Sequence, residues 1–490
     1  MSALTKETAM GNMMRLERLS VTNYRKFGGK PSSDDVGQDS DEPGVPGLSV
    51  DFDESMTVLV GANGAGKTSV LDAIAVALGP FLAKFPDVNG PNITSYDAYR
   101  SRVAESGESD IQPHYPVVIG AKATIAPPTS WKTYQENGEP SAPECEWKRT
   151  LNSAEGRTTS AKARELSKLS ADYQWQTQND PYTMLPVLAY YGTDRLGLRE
   201  KSQWKTHSKK FKNRYEGYNE CLNPHLNFKQ LDAWWRKQYD RDRRGLDVPT
   251  FHAVRDTVAE CLERFTGNAC VKIDYDYTDG LVVSYADSDG VYFENQRFGD
   301  LSDGYRVAVG LVADIAWRIA ALNPFMGYDV VKKTSGIVLV DEVDLHLHPV
   351  WQEKILGILR ELFPCVQFIV ATHAPMVISS VKAKNLRVLG KVSEKQSPAP
   401  GVEGLYFAKE PDDETYGSSA GVVLQHVMGS GDRPTAIQKL YDLFGRQLDQ
   451  DDYAGAKKTL AKLENTIGSG NPDLSAAQSA YFFYAGEVND

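Results

Sequence analysis

The 490-residue sequence contains no apolar run that approaches the roughly 20 residues needed for a membrane-spanning helix. Residues 1–19 also lack the apolar stretch of a secretory signal. Five cysteines are scattered along the chain without a CxxC pair, so their spacing indicates neither a zinc site nor a disulfide framework. We therefore expect a cytosolic protein in a reducing compartment, whose cysteines serve packing or surface roles.

An excess of positive charge is also absent, because the formal net charge is -11 at pH 7. A chain of this charge does not coat nucleic acid with its whole surface. Two local basic patches, residues 201–214 and 236–244, are candidates for such a contact. Aromatic and basic side chains alternate in and beside the first patch: Trp204, Lys205, Lys209, Lys210, Phe211, Lys212, Arg214 and Tyr215. That combination suits phosphates and stacked bases, and a solvated charged surface is the competing interpretation.

Sustained heptad repeats are missing as well, which excludes long coiled-coil arms. Short apolar runs alternate with segments of helical periodicity instead. Residues 186–193 and 336–340 have the composition of buried strands, whereas residues 67–78 have that of a buried helix. This alternation predicts a mostly parallel sheet covered by helices. Asp279-Gly280 marks a hairpin turn between two strand-like runs, and residues 410–490 read as helical.

Residues 61–68, GANGAGKT, match the phosphate-binding pattern GxxxxGK[ST] in full. They follow an apolar strand and open a helix, which is the context that this motif requires. The glycines let backbone N–H groups point at phosphate oxygens, and the helix N-terminus adds a favourable dipole. Lys67 is expected to reach the β- and γ-phosphates of ATP, and the Thr68 hydroxyl to bind Mg²⁺. The predicted ATP-binding residues are Ala62, Asn63, Gly64, Ala65, Gly66, Lys67, Thr68 and Ser69.

A second apolar run, residues 336–340, ends in two carboxylates, Asp341 and Glu342. At the C-terminal end of a buried strand, Asp341 can hold Mg²⁺ and Glu342 can polarise the attacking water as a general base. Such a string is weak evidence alone, but it becomes strong where it follows a complete phosphate-binding motif.

Two further motifs resemble those of ABC ATPases. Residues 301–306, LSDGYR, resemble the ABC signature LSGGQ without its second glycine and its glutamine. The resemblance implies a set of residues that contact the γ-phosphate bound by another subunit: Ser302, Asp303 and Gly304. A plain helix N-cap is the competing interpretation. His373, after the next apolar strand, matches the switch histidine and is expected to contact the γ-phosphate as a second catalytic residue.

Walker A, signature, Walker B and switch histidine in this order look like the ABC ATPase superfamily. Residues 341–352 resemble its RecF-like and OLD-like branch, and residues 16–27 resemble the opening strand of RecF and SMC heads. The implied fold class is α/β, an ABC-type (RecF/SMC-like) P-loop ATPase head with a mixed sheet, a largely helical insertion and a helical C-terminal tail. Gln112 is the candidate for the family's Mg²⁺-contacting glutamine. Tyr24 or Phe27 is a candidate to stack on adenine, with core packing as the competing interpretation.

Three segments, residues 185–195, 301–306 and 341–352, resemble more narrowly the PtuA ATPases of Septu and of some retron anti-phage systems. Those ATPases work beside an HNH nuclease, PtuB. The resemblance implies ATP and Mg²⁺ as cofactors, an even-numbered homo-oligomer joined at its ATP sites, and an HNH nuclease partner. The altered signature leaves open whether ATP is fuel or a gate for that partner.

The expected organisation has four parts. Residues 1–80 form an N-terminal lobe with Walker A, and residues 81–295 form an insertion and the remaining lobe. Residues 296–385 carry the signature, Walker B and switch histidine. Residues 386–490 are mostly helical and are a candidate docking region for the partner, with packing against the head as the alternative.

Other functions compete with this interpretation. A RecF-like repair ATPase would bind DNA or RNA directly, for example through residues 201–214. A nuclease domain within the chain is not expected, because residues 383–490 are short for a Toprim domain and contain no DxD pair at a strand end. Asp344, His346 and His348 are interpreted as loop residues after Walker B, in preference to a separate metal site.

Overall fold

The computed structural model describes residues 13–36, 42–103, 110–138, 140–193, 214–224, 228–393, 399, 402–429 and 433–486. The chain divides into two compact units, Met1–Ser418 and Ser419–Asp490. Within the ranges given above, no helix is both long and apolar enough to cross a membrane.

Strands and helices alternate along the described parts of the chain up to residue 409, and the elements after it are helices. The strands are β1 (Met14–Thr22), β2 (Gly29–Lys30), β3 (Val45–Pro46), β4 (Leu48–Asp51), β5 (Met56–Val60), β6 (Arg100–Val103), β7 (Asp110–Pro113), β8 (Val117–Ile125), β9 (Glu144–Leu151), β10 (Val187–Tyr191), β11 (Ala269–Asp276), β12 (Gly280–Ala286), β13 (Tyr292–Arg297), β14 (Gly336–Val340), β15 (Val366–Ala371), β16 (Leu386–Lys391) and β17 (Tyr406–Lys409). The helices are α1 (Ser33–Val36), α2 (Lys67–Leu82), α3 (Trp131–Asn137), α4 (Arg164–Asn179), α5 (Phe228–Arg243), α6 (Pro249–Thr266), α7 (Asp303–Leu322), α8 (Val330–Lys333), α9 (Pro349–Leu362), α10 (Pro375–Ser379), α11 (Ala420–His426), α12 (Thr435–Asp449), α13 (Tyr453–Ile467) and α14 (Pro472–Gly486).

The unit Met1–Ser418 is organised around a sheet with the strand order β10-β14-β15-β5-β16-β17. Neighbouring strands are parallel except for β16 and β17, so the sheet is mixed, as predicted. Strands β5, β10, β14 and β15 are buried along their whole length, which is expected of parallel strands covered on both faces. Their carboxyl ends therefore meet at one edge of the sheet.

An antiparallel sheet of order β4-β1-β8-β9 is tied to the main sheet through Gln367. The Leu16 amide donates to Gln367 Oε1 at 2.8 Å, and Gln367 Nε2 donates to the carbonyls of Leu16 and Asp53, both at 2.8 Å. Gln367 is fully buried in β15. Its hydrogen bonds compensate for the loss of water and fix the position of β1 against the parallel strands.

Residues 81–295 contribute to both sheets. Strands β8 and β9 belong to the antiparallel sheet and β10 to the main sheet, whereas β11, β12 and β13 form a small sheet of their own. The predicted turn at Asp279-Gly280 joins β11 to β12. Residues 81–295 thus contain helices as well as strands that belong to the two larger sheets.

The unit Ser419–Asp490 is helical, and its helices α12, α13 and α14 occupy the segments with predicted helical periodicity. Its core is an apolar cluster of Phe444, Leu448, Ala456, Leu460, Leu463, Leu474 and Ala477. The boundary between the two compact units lies at Ser418–Ser419. Strands β16 and β17 pair with the main sheet and so belong to the first unit, and the predicted four-part organisation stays a prediction.

A buried ion pair ties α7 to the end of β10. Arg318 Nε donates to Asp314 Oδ2 at 2.7 Å, and the Tyr191 hydroxyl donates to the same oxygen at 2.7 Å. Arg318 also donates to the carbonyls of Gly217 and Asn219 at 3.0 Å. Asp314 is 0% and Arg318 3% exposed, so the charges have little access to solvent and depend on each other.

Replacing Asp314 with alanine tests this dependence. The Arg318 guanidinium would remain buried without its carboxylate, and we expect the free energy of unfolding to fall by about 3–5 kcal/mol. The midpoint of urea unfolding measures the change. The double variant Asp314→Leu/Arg318→Met removes both charges and should recover most of the lost stability. A double variant that is no more stable than Asp314→Ala would contradict the interpretation.

Candidate nucleotide-binding site

The predicted phosphate-binding loop lies between β5 and α2, at the carboxyl edge of the main sheet. Gly64 and Gly66 have φ angles of 74° and 104°, which disfavour a side chain. A Cβ on Gly66 would also lie 2.5 Å from Phe27 Cζ. The Ala65 amide donates to the Ala62 carbonyl at 2.9 Å, which closes the turn and leaves Ala62, Asn63 and Gly64 exposed.

Lys67 begins α2, and its side chain turns back over the loop. Its Nζ donates to the Gly61 carbonyl at 3.1 Å and to His373 Nε2 at 2.5 Å. Burial lowers the pKa of Lys67 to about 8, although the carboxylates of Asp341 and Glu342 oppose the shift. An ammonium held in this way is poorly solvated, so it gains from an anion that enters the loop.

Thr68 and Asp341 meet across the gap between α2 and β14. The Thr68 hydroxyl donates to Asp341 Oδ2 at 2.7 Å. The Asp341 amide donates to the Tyr191 carbonyl at 2.8 Å, which anchors the residue to β10. Burial raises the pKa of the Asp341 carboxyl, so the carboxylate is favoured by a nearby cation. A hydroxyl and a carboxylate oxygen are hard ligands of the type that Mg²⁺ prefers, so the two residues fit a magnesium ion chemically.

Glu342 follows Asp341 with an unusual backbone. Its φ angle is 44°, a left-handed conformation that is uncommon for glutamate and tends to occur at functional sites. The Glu342 amide donates to Asp341 Oδ1 at 3.1 Å. At this strand end Asp341 is buried, whereas Glu342 is partly exposed.

His373 is positioned by a contact between the loops that follow β14 and β15. The Thr372 hydroxyl donates to Asp344 Oδ1 at 2.5 Å and accepts from the Ala374 amide at 2.9 Å. Burial and the Lys67 ammonium lower the pKa of His373, which favours the neutral ring. The structure therefore brings four predicted residues together: Lys67, Thr68, Asp341 and His373.

The signature residues occupy the start of α7. Ser302 and Asp303 are exposed, whereas Gly304 is buried. A Cβ on Gly304 would lie 2.9 Å from the carbonyl oxygen of His346, so only glycine allows α7 to pack on the loop after Walker B. The same loop also contains Asp344, which accepts the hydrogen bond from the Thr372 hydroxyl. The loop therefore contacts both the signature helix and the residue before His373.

Several other predicted residues have local roles or lie apart. His346 and His348 are exposed, and His348 Nδ1 accepts from the Val350 amide at the start of α9. Within the described parts of the chain, no group of three His, Cys, Asp or Glu residues is arranged to hold a metal. Gln112 is exposed on β7, where it pairs with Ser101. Its contact with Mg²⁺ stays a prediction.

The two predicted basic patches are only partly described by the structure. Residues 201–213, with Trp204, Lys205, Lys209, Lys210, Phe211 and Lys212, lie outside the described residues. Arg214 forms hydrogen bonds within the protein: its Nε donates to the Leu322 carbonyl at 2.6 Å and its Nη2 to the Thr183 carbonyl at 2.6 Å. Its guanidinium group is therefore already engaged by the chain itself. In residues 236–244, two arginines lie over tyrosine rings of the same unit, Arg236 over Tyr277 and Arg243 over Tyr239.

A network of hydrogen bonds and ion pairs lies beside the phosphate-binding loop and was not predicted from the sequence. Asp72 on α2 accepts from the Tyr190 hydroxyl at 2.8 Å and forms an ion pair with Arg25. Arg25 Nε also donates to Asp97 Oδ1 at 2.9 Å. No sequence pattern pairs Asp72 with Tyr190, because their proximity depends on how α2 and β10 meet in the fold. Tyr24 and Phe27 are 1% and 0% exposed, so both are core residues.

The chain matches protein-family models over most of its length. Residues 19–263, half of the chain, match the model of the family described as AAA domain. A second AAA-domain model matches residues 225–379. The two matches together span Walker A, the signature, Walker B and His373.

Known relatives are similar to this chain at low identity. The Retron Vc95 probable ATPase of Vibrio cholerae serotype O1 biovar El Tor is 23% identical over 420 residues, which cover 77% of this chain and 74% of the relative. The Septu protein PtuA of Bacillus mycoides (strain KBAB4) is 29% identical over 148 residues, 30% of this chain and 19% of that protein. A solved SMC head bound to the C-winged helix domain of ScpA aligns with 81% of this chain and 97% of its own, at 16% identity and a TM-score of 0.44.

Lys67→Ala tests the assignment of the phosphate-binding loop. Loss of the partly desolvated ammonium is expected to weaken ATP binding by about tenfold or more, because the phosphates lose a charge-assisted hydrogen bond. Isothermal titration calorimetry measures the affinity. Lys84→Ala, at an exposed lysine just beyond α2, is the matched control. Equal ATP affinity of Lys67→Ala and the control would rule out the assignment.

Proposed function

The chain belongs to the AAA-domain ATPases, and from this premise we propose that it is the ATPase of an anti-phage defence system. It binds ATP and Mg²⁺ at residues 62–69, assembles through shared ATP sites and controls an associated HNH nuclease. The observation that carries the nucleotide part is the convergence of Lys67, Thr68, Asp341 and His373 at one edge of the sheet.

Each residue of this cluster has a distinct task. Lys67 and the loop amides hold the phosphates, and Thr68 and Asp341 hold the metal. Bound Mg²⁺ neutralises charge on the phosphate oxygens. Glu342 polarises the attacking water, and His373 holds the reacting end of the nucleotide. Asp344 and Thr372 position His373 without touching the nucleotide.

The proposal that two copies share each ATP site rests on the signature. Ser302 and Asp303 are exposed at the start of α7, where they are available to the nucleotide of a second copy. Gly304 packs against the loop after Walker B of its own copy. A movement of the signature on dimer closure would therefore displace the loop after Walker B and, through it, Glu342.

The defence role rests on similarity. The relatives named above are a retron probable ATPase and a Septu protein, and the first similarity extends over 77% of this chain. The nuclease would be a separate protein, since the described part of the unit Ser419–Asp490 is built of helices around a small apolar cluster. That unit is the proposed docking region for the partner.

A mixture of two variants tests the shared-site arrangement. Lys67→Ala disables Walker A, and Ser302→Arg disables the signature. In a mixed dimer both lesions fall in the same ATP site and the other site stays intact, so the ATPase rate of the mixture should exceed that of either variant alone. A mixture of Lys67→Ala with Thr68→Ala is the control, because both lesions disable Walker A. No gain in the first mixture would contradict sites shared between copies.

Co-purification with the products of neighbouring genes tests the defence role. We expect a stable complex with an HNH nuclease, sized by light scattering with and without ATP and Mg²⁺. A chain that purifies alone, dimerises only with ATP and binds DNA with a steep dependence on salt would instead support a RecF-like repair function.

A further inference from the structure

The fifth residue of the signature segment, Tyr305, packs on the helix that follows the loop after Walker B. Its ring meets the indole of Trp351, in the first turn of α9, edge-to-face, with 4.3 Å between ring centroids and 87° between ring planes. Tyr305 stands where the ABC signature has its glutamine. A glutamine amide has no ring to place against an indole in this way, so the contact belongs to a residue by which this signature departs from the ABC pattern.

Trp351 is itself held by both its backbone and its ring. Its amide donates to the His348 carbonyl at 2.8 Å, and its ring packs against Phe265 near the end of α6, with 5.4 Å between ring centroids. Phe265 is 2% exposed, so the indole rests on the core of its own unit. Trp351 therefore offers the signature a fixed surface.

The residue before Tyr305 lies against the same indole. A Cβ on Gly304 would lie 3.5 Å from Trp351 Cζ3 and 2.9 Å from the His346 carbonyl oxygen. Two successive residues of α7 thus pack on one side chain of α9. Such a pair of contacts fixes both the distance and the rotation of the first turn of α7 relative to the loop after Walker B.

The first turn of α7 depends on this packing because it is not held by a side-chain cap. Ser302 is at the N-cap position, but among the described residues its side chain makes no capping hydrogen bond. The ion pair between Asp303 and Arg306 joins two residues of the same turn, so it stabilises the shape of the turn without fixing its place on the protein. Helix ends without a cap fray readily, so the contact with Trp351 is what holds this one in place.

The ring of Tyr305 makes the contact, and its hydroxyl does not take part. Burial raises the pKa of Tyr305, and the neighbouring Tyr285 on β12 adds to the shift, so the hydroxyl stays protonated at neutral pH. Within the described parts of the chain, that hydroxyl has no hydrogen-bond partner. Phenylalanine should therefore replace Tyr305 without loss, whereas alanine removes the contact.

We propose that Tyr305 is a positioning residue, which together with Trp351 holds residues 302–304 where they reach the nucleotide bound by a second copy. The inference rests on the proposed sharing of ATP sites between copies and adds a residue that sets the geometry of the shared site. Tyr305 acts through the signature and touches no phosphate itself. Its loss should slow the reaction at the Walker A site of the second copy and leave ATP binding by its own Walker A intact.

Kinetics and calorimetry on four full-length proteins test the inference. The proteins are the wild type, Tyr305→Ala, Tyr305→Phe and the matched control Tyr416→Ala, at an exposed tyrosine outside the signature. Tyr305→Ala is expected to lower kcat by about tenfold or more, because a displaced group stabilises the transition state less, with ATP affinity unchanged. Tyr305→Phe and Tyr416→Ala should match the wild type. A kcat of Tyr305→Ala equal to that of the control, or an ATP affinity that falls as much as kcat, would show that Tyr305 does not position the signature.

Mixtures of variants show in which copy Tyr305 acts. In a mixed dimer of Tyr305→Ala and Lys67→Ala, one ATP site combines an intact Walker A with an intact signature, so the ATPase rate of the mixture should exceed that of either variant alone. The mixture of Lys67→Ala with Ser302→Arg is the reference for shared sites. If only the reference gains activity, Tyr305 acts within its own copy and the inference is wrong. If neither mixture gains activity, the sharing of ATP sites is itself wrong.

Discussion

The parallel pairing of β5, β15 and β14 is the constraint on which the rest of this ATPase depends. Parallel strands deliver their carboxyl ends to one edge, so the phosphate-binding loop, His373 and Asp341 come together although they are far apart in sequence. The strands are apolar and buried on both faces, and polar groups emerge only where each strand ends. The Thr68–Asp341 hydrogen bond is a direct consequence of this register.

Polar contacts link that edge to the surrounding layers. Gln367 joins the antiparallel sheet to β15, and the Asp314–Arg318 pair joins α7 to β10. Tyr191 takes part twice, because its hydroxyl binds Asp314 and its carbonyl binds the Asp341 amide. Helix α7 and the strand end that carries Asp341 are therefore anchored by the same residue. This arrangement gives a physical route by which a movement of α7 would alter the site.

The hairpin of β16 and β17 extends the same sheet beyond β5. Strand β16 lies next to β5, on the side opposite β15, and Lys391 and Tyr406 of the hairpin line a cavity together with Arg25 and Lys26. The same hairpin is the reason that the first compact unit extends to Ser418.

Local patterns in the sequence were enough to predict the phosphate-binding motif, the Asp341–Glu342 pair, His373 and the strands and helix next to them, because each of these depends on neighbours within a few residues. The contacts of Asp72, Tyr190 and Gln367 join distant segments, so the residues around each of them in the sequence do not indicate the partner. Tyr24 and Phe27 illustrate the same limit, since an aromatic residue near a loop has the same sequence signature whether it points into the core or into a site. Only the tertiary structure decided that both belong to the core and that Tyr406, far along the chain, faces the cavity, because strand order is set by packing between segments and not by periodicity within them.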